Sequence, residues 1–424
     1  MTLQDKNPYK PNAIKLCIIA LVSLLLLIPL VMVKGVIADR VKTKVDVEAE
    51  VANATALEQK VTGPVMCYDV VDPKTSKKIS NYLLAKDLDY DASVETETLH
   101  RSIYDVVIYN SEIVVKGTFK VSAQLMNNTS CYMFFRISDI KGMQSIPEID
   151  ICNSTYEFEL DREKIYSQYP ITQEGMFSGY DDNILKAKIN LPADIKEGDE
   201  LEYTMRLKIK GTKSLSFKPY AEESTLVIKS SYPHPSFIGD FLPEKRAVTD
   251  SGFSAYWSVL GMNVSNRTDG MGVKFVNPSN PYLQSERTTK YGFLVIVLVF
   301  VATILVEFIT RKEINIVQYA IVGLSLVLFY SLLISFSEIA SFGLAYLVSA
   351  VMTTAALMFY FRRMLKNKVA YYVGAFVAVM YGLNYVIIQM ETFALLTGSL
   401  LLFVMLLVLM YFTANMNSSK NNIE

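Results

Sequence analysis

Histidine is nearly missing from these 424 residues: His100 and His234 are the only two. Acid/base chemistry near neutral pH would have to rest on carboxylates, because imidazole is the side chain that ordinarily titrates there, and no carboxylates are paired suggestively. There is no G-x-S-x-G, no H-E-x-x-H and no phosphate-binding glycine loop, so the common signatures of hydrolases, zinc proteases and P-loop enzymes are absent. The four cysteines, Cys17, Cys67, Cys131 and Cys152, include no C-x-x-C pair, which argues against a zinc or thioredoxin-type site. Among the three in the polar middle of the chain at most one disulfide could form; Cys131 and Cys152 are nearest in sequence, and buried or free thiols are the alternative. A net charge of −1 gives no case for nucleic acid, whose binders carry a clustered basic surface. The expectation is a non-enzymatic protein with no catalytic residue, metal or cofactor.

Apolar residues, in contrast, are abundant, at 51% of the chain. Ile14 to Val33 forms a 20-residue apolar run broken only by Lys15 and Pro29, long enough to span a hydrocarbon core of about 30 Å as a helix. A cleaved signal peptide has a shorter apolar core of roughly 7 to 15 residues and a small-x-small site after it, which Lys34-Gly-Val-Ile-Ala-Asp-Arg does not offer. From Tyr291 five further apolar runs follow, over about 291–310, 316–336, 340–361, 369–389 and 393–412. Their short connections predict antiparallel neighbours, and the aromatic residues at their ends, such as Tyr291, Phe359, Tyr360, Tyr371, Tyr372, Tyr411 and Phe412, suit a membrane-interface belt.

Between these parts, from about Ala38 to Glu286, the pattern has a period of two. Ile113 to Val121, Tyr156 to Leu160, Leu185 to Leu191 and Leu201 to Ile209 each alternate apolar with polar residues, the mark of half-buried strands. Turns such as Glu197-Gly198-Asp199 and Lys210-Gly211-Thr212 separate them, so a sandwich-like antiparallel β-domain is expected. The predicted organisation is a cytoplasmic tail (1–13), an anchor (14–37), a large β-rich domain (38–286), a five-helix block (291–412) and a second tail (413–424). The fold class is thus a membrane α-helical bundle of six spans plus a large extracytoplasmic all-β domain.

Lys and Arg in the short loops set the orientation. Arg311, Lys312, Arg362, Arg363, Lys366, Lys368 and Lys420 fall on one side, against Arg287 and Lys290 on the other. That asymmetry puts both termini in the cytoplasm and the β-domain outside.

One stretch, Ser231 to Trp257, stands out. It gathers Pro233, Pro235 and Pro243 around His234 and ends on the only tryptophan. Three prolines each fix φ and bias the preceding residue to extended geometry, which excludes a continuous helix and implies a rigid, shaped segment. The run Tyr232-Pro233-His234-Pro235-Ser236-Phe237-Ile238-Gly239-Asp240-Phe241-Leu242-Pro243, with Thr289-Lys290-Tyr291 opening the second span, closely resembles the CreD family of bacterial inner-membrane proteins. Gly63-Pro64, Gly211-Thr212, Val322 to Leu326 and Arg101-Ser102-Ile103-Tyr104 are also similar, although Ser102 stands where that family tends to carry glycine. Cys67-Tyr68-Asp69 likewise lies where it usually carries a proline. The resemblance covers essentially the whole chain and implies localisation in the bacterial inner membrane and a role in cell-envelope integrity. It brings no catalytic residue.

The candidate binding or coupling residues are therefore Tyr232, Pro233, His234, Pro235, Ser236, Phe237, Gly239, Asp240, Phe241, Leu242, Pro243, Trp257 and Arg101. Their segment is expected to act as a coupler at the outer membrane-water boundary of the inner membrane, where the β-domain meets the helices, with the β-domain contacting an unknown envelope component and the helices contacting the lipid bilayer. His234 is read either as a ligand or pH-sensitive contact or as a histidine bonded to backbone. Asp87, Asp89 and Asp91 mimic the opening of a calcium loop, but Ala92 and Thr98 replace the glycine and glutamate such a loop needs, so an acidic turn is the expectation. Glu307 and Arg311 should pair at the membrane edge, Glu338 and Glu391 at the outer span ends are each read as membrane-edge ion-pair members in the same way, and Gln318, Asn384 and Gln389 are placed to bond between helices. A sensor or small-molecule transporter is the alternative function; an envelope hydrolase would need partners for His234 in an outer cleft.

Overall fold

The computed structural model describes residues 13–71, 78–126, 130–172, 183–265, 269–275, 281–290, 292–310, 312–366 and 368–389, with single positions at 399, 403, 407 and 410. Two compact units divide the chain: Met1–Thr43 with Ser279–Glu424, and Lys44–Pro278.

The helices are α1 (Ala13–Leu25), α2 (Leu27–Ala54), α3 (Pro281–Lys290), α4 (Gly292–Thr310), α5 (Ile316–Ser337), α6 (Phe342–Leu365) and α7 (Val369–Gln389). The break between α1 and α2 precedes Pro29, which has no N–H to offer the carbonyl of Leu25. The strand-rich region was expected to begin at Ala38; instead α2 continues to Ala54. Val33, Ile37 and Val51 are buried and Val41, Lys44 and Glu48 half-buried, a spacing of three or four that makes one continuous helix face.

Among the described residues, four helical stretches are long and apolar enough to cross a membrane: Ile14–Ala54, Ile316–Ser337, Phe342–Leu365 and Val369–Gln389. A pair bent by 45°, Gln284–Lys290 with Val295–Glu307, would make a fifth. Six spans were expected; the sixth run, 393–412, lies almost wholly outside the described residues. Gln318, expected to bond between helices, instead closes a capping box at the start of α5. Its Oε1 accepts from Asn315 N at 2.9 Å while the Asn315 side chain accepts from Val317 N.

The strands are β1 (Gln59–Val71), β2 (Lys78–Leu83), β3 (Ala85–Arg101), β4 (Tyr104–Lys120), β5 (Ser130–Ile137), β6 (Glu148–Ile151), β7 (Ser154–Glu157), β8 (Glu159–Leu160), β9 (Ile184–Asn190), β10 (Glu200–Thr212), β11 (Ser214–Lys218), β12 (Ala221–Ser230), β13 (Pro235–Gly239), β14 (Lys245–Thr249), β15 (Gly252–Leu260) and β16 (Met271–Phe275). One eight-stranded sheet has the order β13-β16-β11-β1-β5-β9-β8, with β2 also on β1; the other runs β14-β15-β12-β3-β4-β10-β6-β7. Their facing side chains form one core. Tyr90 of β3 packs tilted against Phe217 of β11 at 4.8 Å and Tyr109 of β4 likewise against Phe275 of β16 at 5.1 Å. Both tyrosines also reach the opposite backbone, Tyr90 Oη donating to Gly63 O at 2.7 Å and Tyr109 Oη to Ser214 O at 2.7 Å. Burial raises both phenols well above their ordinary range, so they stay protonated donors.

The sheets are mixed, not wholly antiparallel: β1 pairs with β11, and β12 with β3, in parallel. From β10 onward the chain repeatedly switches sheet. A hairpin reverses direction beside its own strand, but a chain that crosses to the other sheet and returns can lie parallel to an earlier strand.

One local expectation is corrected, and of the two alternatives for the cysteines the structure holds the free thiols. Asp87, Asp89 and Asp91 lie on β3, with the buried Leu88, Tyr90 and Ala92 between them, and so form an outward row of a strand and not an acidic turn. Asp87 accepts from Thr118 Oγ1 at 2.8 Å and Asp89 from Thr225 Oγ1. Cys131 and Cys152 are free thiols. Burial pushes the Cys131 thiol up to about 12 and that of Cys67 well above its usual value.

At the β8 to β9 edge, Lys186, only 6% exposed, meets Asp161 at 3.3 Å, Glu163 at 3.2 Å and Glu159 at 3.5 Å. Burial works against its charge, but hydrogen bonds to Glu163 and Asp161 outweigh that and raise its pKa.

Candidate functional site

Ser231 to Trp257 forms a strap that passes from one sheet to the other and back. Leaving β12, Tyr232 packs edge-on against Phe275 at 5.6 Å, and its partial burial raises its phenol pKa. Pro235 then opens β13, the first position of a strand, where a missing N–H is tolerated. β13 pairs antiparallel with β16 from Pro235 opposite Phe275 to Gly239 opposite Met271. Phe237 turns its ring toward the core and meets Phe253 at 6.0 Å and Trp257 at 5.7 Å, both on β15 of the opposite sheet. Ser236 and Pro233 are half-buried beside it.

The chain turns at Gly239, where φ is +97° and a Cβ would stand 2.2 Å from Gly270 O, so no other residue fits without backbone movement. Asp240 anchors the turn: its N–H donates to Gly270 O at 2.9 Å and its Oδ2 accepts from Asp269 N at 2.7 Å. Phe241 O then accepts from Trp257 Nε1 at 3.1 Å, satisfying the indole of a side chain that is wholly buried. After the exposed Leu242 and half-buried Pro243 the chain enters β14, from which Arg246 lies over the Phe237 ring at 5.9 Å. The strap therefore fastens two sheets through Phe237, Phe241 and Trp257.

Two candidates fall outside this arrangement. His234 is exposed, meeting the Tyr232 ring edge-on at 6.2 Å, and its ring nitrogens have no hydrogen-bond partner among the described residues, so the backbone-bonded reading is not what the structure holds. Arg101 sits at the far end of β3, seven residues and so about 23 Å along the strand from Val94, which pairs with Ser230. There it pairs with Glu50 at 2.6 Å. The adjoining Ser102 adopts φ +58°, the left-handed turn geometry that glycine supplies without strain.

Among the helices the structure gathers a buried polar group that the sequence reading missed. Glu307, 2% exposed, forms an ion pair with Lys15 of α1, while Arg311, its expected partner, lies outside the described residues. Tyr319 Oη donates to Glu307 Oε2 at 2.9 Å and Ile314 N to Oε1 at 3.2 Å, so both carboxylate oxygens are engaged. The available signal was one cation and one anion, each breaking an apolar run near the same predicted side. Glu338 pairs with Arg40 at 3.1 Å, while Glu391 lies outside the described residues. Asn384 is buried beside Tyr346 of α6 but makes no hydrogen bond of normal geometry among the described residues, and Gln389 is exposed with no bond to another helix among them.

A curated relative, the inner membrane protein CreD of Escherichia coli (strain K12), is 28% identical over 428 residues, covering 93% of this chain and 91% of its own. A solved M1 zinc metallopeptidase from Deinococcus radiodurans shares 8% identity over 45% of this chain and 42% of its own, with a TM-score of 0.22, too low to bear on fold or activity. The family model described as inner membrane protein CreD matches residues 11–419, nearly the whole chain, and the protein therefore belongs to the CreD family.

Proposed function

We propose that this protein supports cell-envelope integrity as a non-enzymatic, multi-pass inner-membrane protein. Both termini face the cytoplasm, and the β sandwich lies in the periplasm, where it contacts an envelope component. The observation that carries this reading is the strap. The segment most diagnostic of the family is spent on fastening one sheet to the other through Phe237, Phe241 and Trp257, a mechanical task. The loop charges of the sequence support the orientation.

Deleting the gene in its own host and challenging the cells with detergent tests the role. Sensitivity should appear and be reversed by the wild-type chain, but not by Trp257→Ala present at the same level. A deletion indistinguishable from wild type, or full rescue by Trp257→Ala, would count against it. Alkylation of a cysteine placed at Ser251, in whole cells, tests the orientation: labelling without permeabilisation is expected.

A sensor or transporter is the second reading. Tyr330, Tyr381 and Asn384 favour it, as polar groups buried among helices without partners.

A further inference from the structure

Between α6 and α7 lies a groove of about 600 Å³, a volume typical of small-molecule sites. Along α6 it runs from Gly343 to Met358, fifteen residues or about 22 Å, roughly two-thirds of a hydrocarbon core. Its two ends differ in chemistry. One is walled by Tyr346, Tyr381 and Tyr385, whereas toward Ala355 and Met358 the walls are apolar. Among the described residues, no Lys, Arg, Asp or Glu lines it.

The tyrosine end is not self-satisfied. Tyr346 Oη donates to Tyr381 O at 2.7 Å, but Tyr381 Oη, 1% exposed as a residue, has no hydrogen-bond partner. Behind the groove wall, Asn384, one turn along α7, 4% exposed and beside Tyr346, makes no hydrogen bond of normal geometry among the described residues, nor does Tyr330 Oη on α5. Ring contacts hold the group in place, with Phe329 tilted against Tyr381 at 4.3 Å and edge-on to Tyr346 at 5.3 Å. Buried donors and acceptors without partners cost about 1 to 3 kcal/mol each, and the price is highest among helices that water does not reach.

We propose that this groove binds a neutral, single-chain amphiphile, an acylglycerol-type lipid whose uncharged hydroxyl and ester head lies at Tyr381 and Tyr385 and whose acyl chain lies along α6 toward Met358. The length of the groove suits a chain, its polar end a head that both donates and accepts, and its uncharged walls exclude an ionised head. The site stands independently of the envelope role above.

The full chain in nanodiscs of zwitterionic phospholipid, exposed to a monoacylglycerol with a photoreactive acyl chain, provides the test. Saturable labelling of peptides within 342–385 is expected, displaced by unlabelled monoacylglycerol and not by the free fatty acid. Gly382→Leu should lower the label at least tenfold, because a Cβ there meets nothing within 4 Å and the added chain fills the groove. Tyr381→Phe should lower it severalfold. If Gly382→Leu does not fold, Ala378→Leu fills the same wall. Labelling that never saturates, that survives the filling variant at an unchanged melting temperature, that the fatty acid displaces equally well, or that falls on 393–412 instead would overturn the proposal.

Discussion

The two units treat their buried tyrosines differently. In the sandwich, Tyr90 and Tyr109 extend from one sheet to hydrogen-bond the backbone of the other, so each ring fills the core and each hydroxyl closes it. Tyr203, stacked on Phe119, is an exception whose hydroxyl is unpartnered. Among the helices, Tyr330 and Tyr381 fill space equally well, yet both hydroxyls end without partners beside Asn384. A sandwich can satisfy a cross-layer phenol because its strand carbonyls can face the core, whereas a helix consumes nearly all its carbonyls internally. Polar groups between helices therefore depend mostly on side chains, as Tyr319 does on Glu307, or on a guest; Tyr346, which reaches Tyr381 O at 2.7 Å, is the exception.

The comparison is tested most severely by Trp257→Ala. Losing a wholly buried indole that holds the strap to its sheet should cost about 3 to 5 kcal/mol, read from thermal or denaturant unfolding of the sandwich. A cost below about 1 kcal/mol would mean the strap is not tightly fastened.

Buried ion pairs give the next contrast. Glu307→Ala leaves Lys15 without its partner among the helices, and Lys186→Met leaves the buried Asp161 uncompensated in the sandwich. Each should cost about 3 to 5 kcal/mol, and Lys15→Met with Glu307→Leu should restore most of the first loss. Lys186 also has a pH signature. Its pKa is raised on folding, so its contribution is complete below the unfolded lysine value, about 10.4, and is lost as pH rises through the higher folded value. Lys186→Met should flatten the alkaline limb of stability measured above pH ~10.

Tyr90→Phe and Tyr381→Phe pose the question of the comparison directly. The first removes a made hydrogen bond and leaves Gly63 O short of a donor, costing about 1 to 2 kcal/mol. The second removes an unmet hydroxyl and should be neutral or stabilising by up to about 1 kcal/mol in the ligand-free protein. Equal destabilisation by both would erase the distinction between the units. The smallest effect belongs to Ser102→Gly, which relieves a left-handed φ of +58° and should raise stability by about 0.5 to 1 kcal/mol in the same unfolding measurement.

Much of the outline was legible in the sequence. Ile113 to Val121, Leu185 to Leu191 and Leu201 to Ile209 fall on β4, β9 and β10, the first two running one residue past the strand end, because a side-chain period of two survives any choice of partner strand. Their pairing was not legible, since parallel and antiparallel neighbours bury the same face. The extension of α2 to Ala54 was missed because its half-buried positions include Lys44 and Glu48, which a hydropathy pattern scores as polar. Within the candidate site, the prolines marked Ser231 to Trp257 as rigid, but Phe253, Phe275 and Arg246, which complete its packing, carry no local signal.

Acting alone, the sequence determined that this chain has apolar helices of membrane length and a sandwich of alternating strands, because both follow from the spacing of apolar side chains along one segment. It also marked the family through a run of residues whose order is independent of fold. Tertiary structure alone decided that the proline-rich run straps two sheets, that Glu307 meets Lys15 across 292 positions, and that Tyr330, Tyr381 and Asn384 converge unsatisfied. Those outcomes depend on which segments lie side by side, and that is set by burial and hydrogen-bond closure summed over the whole unit.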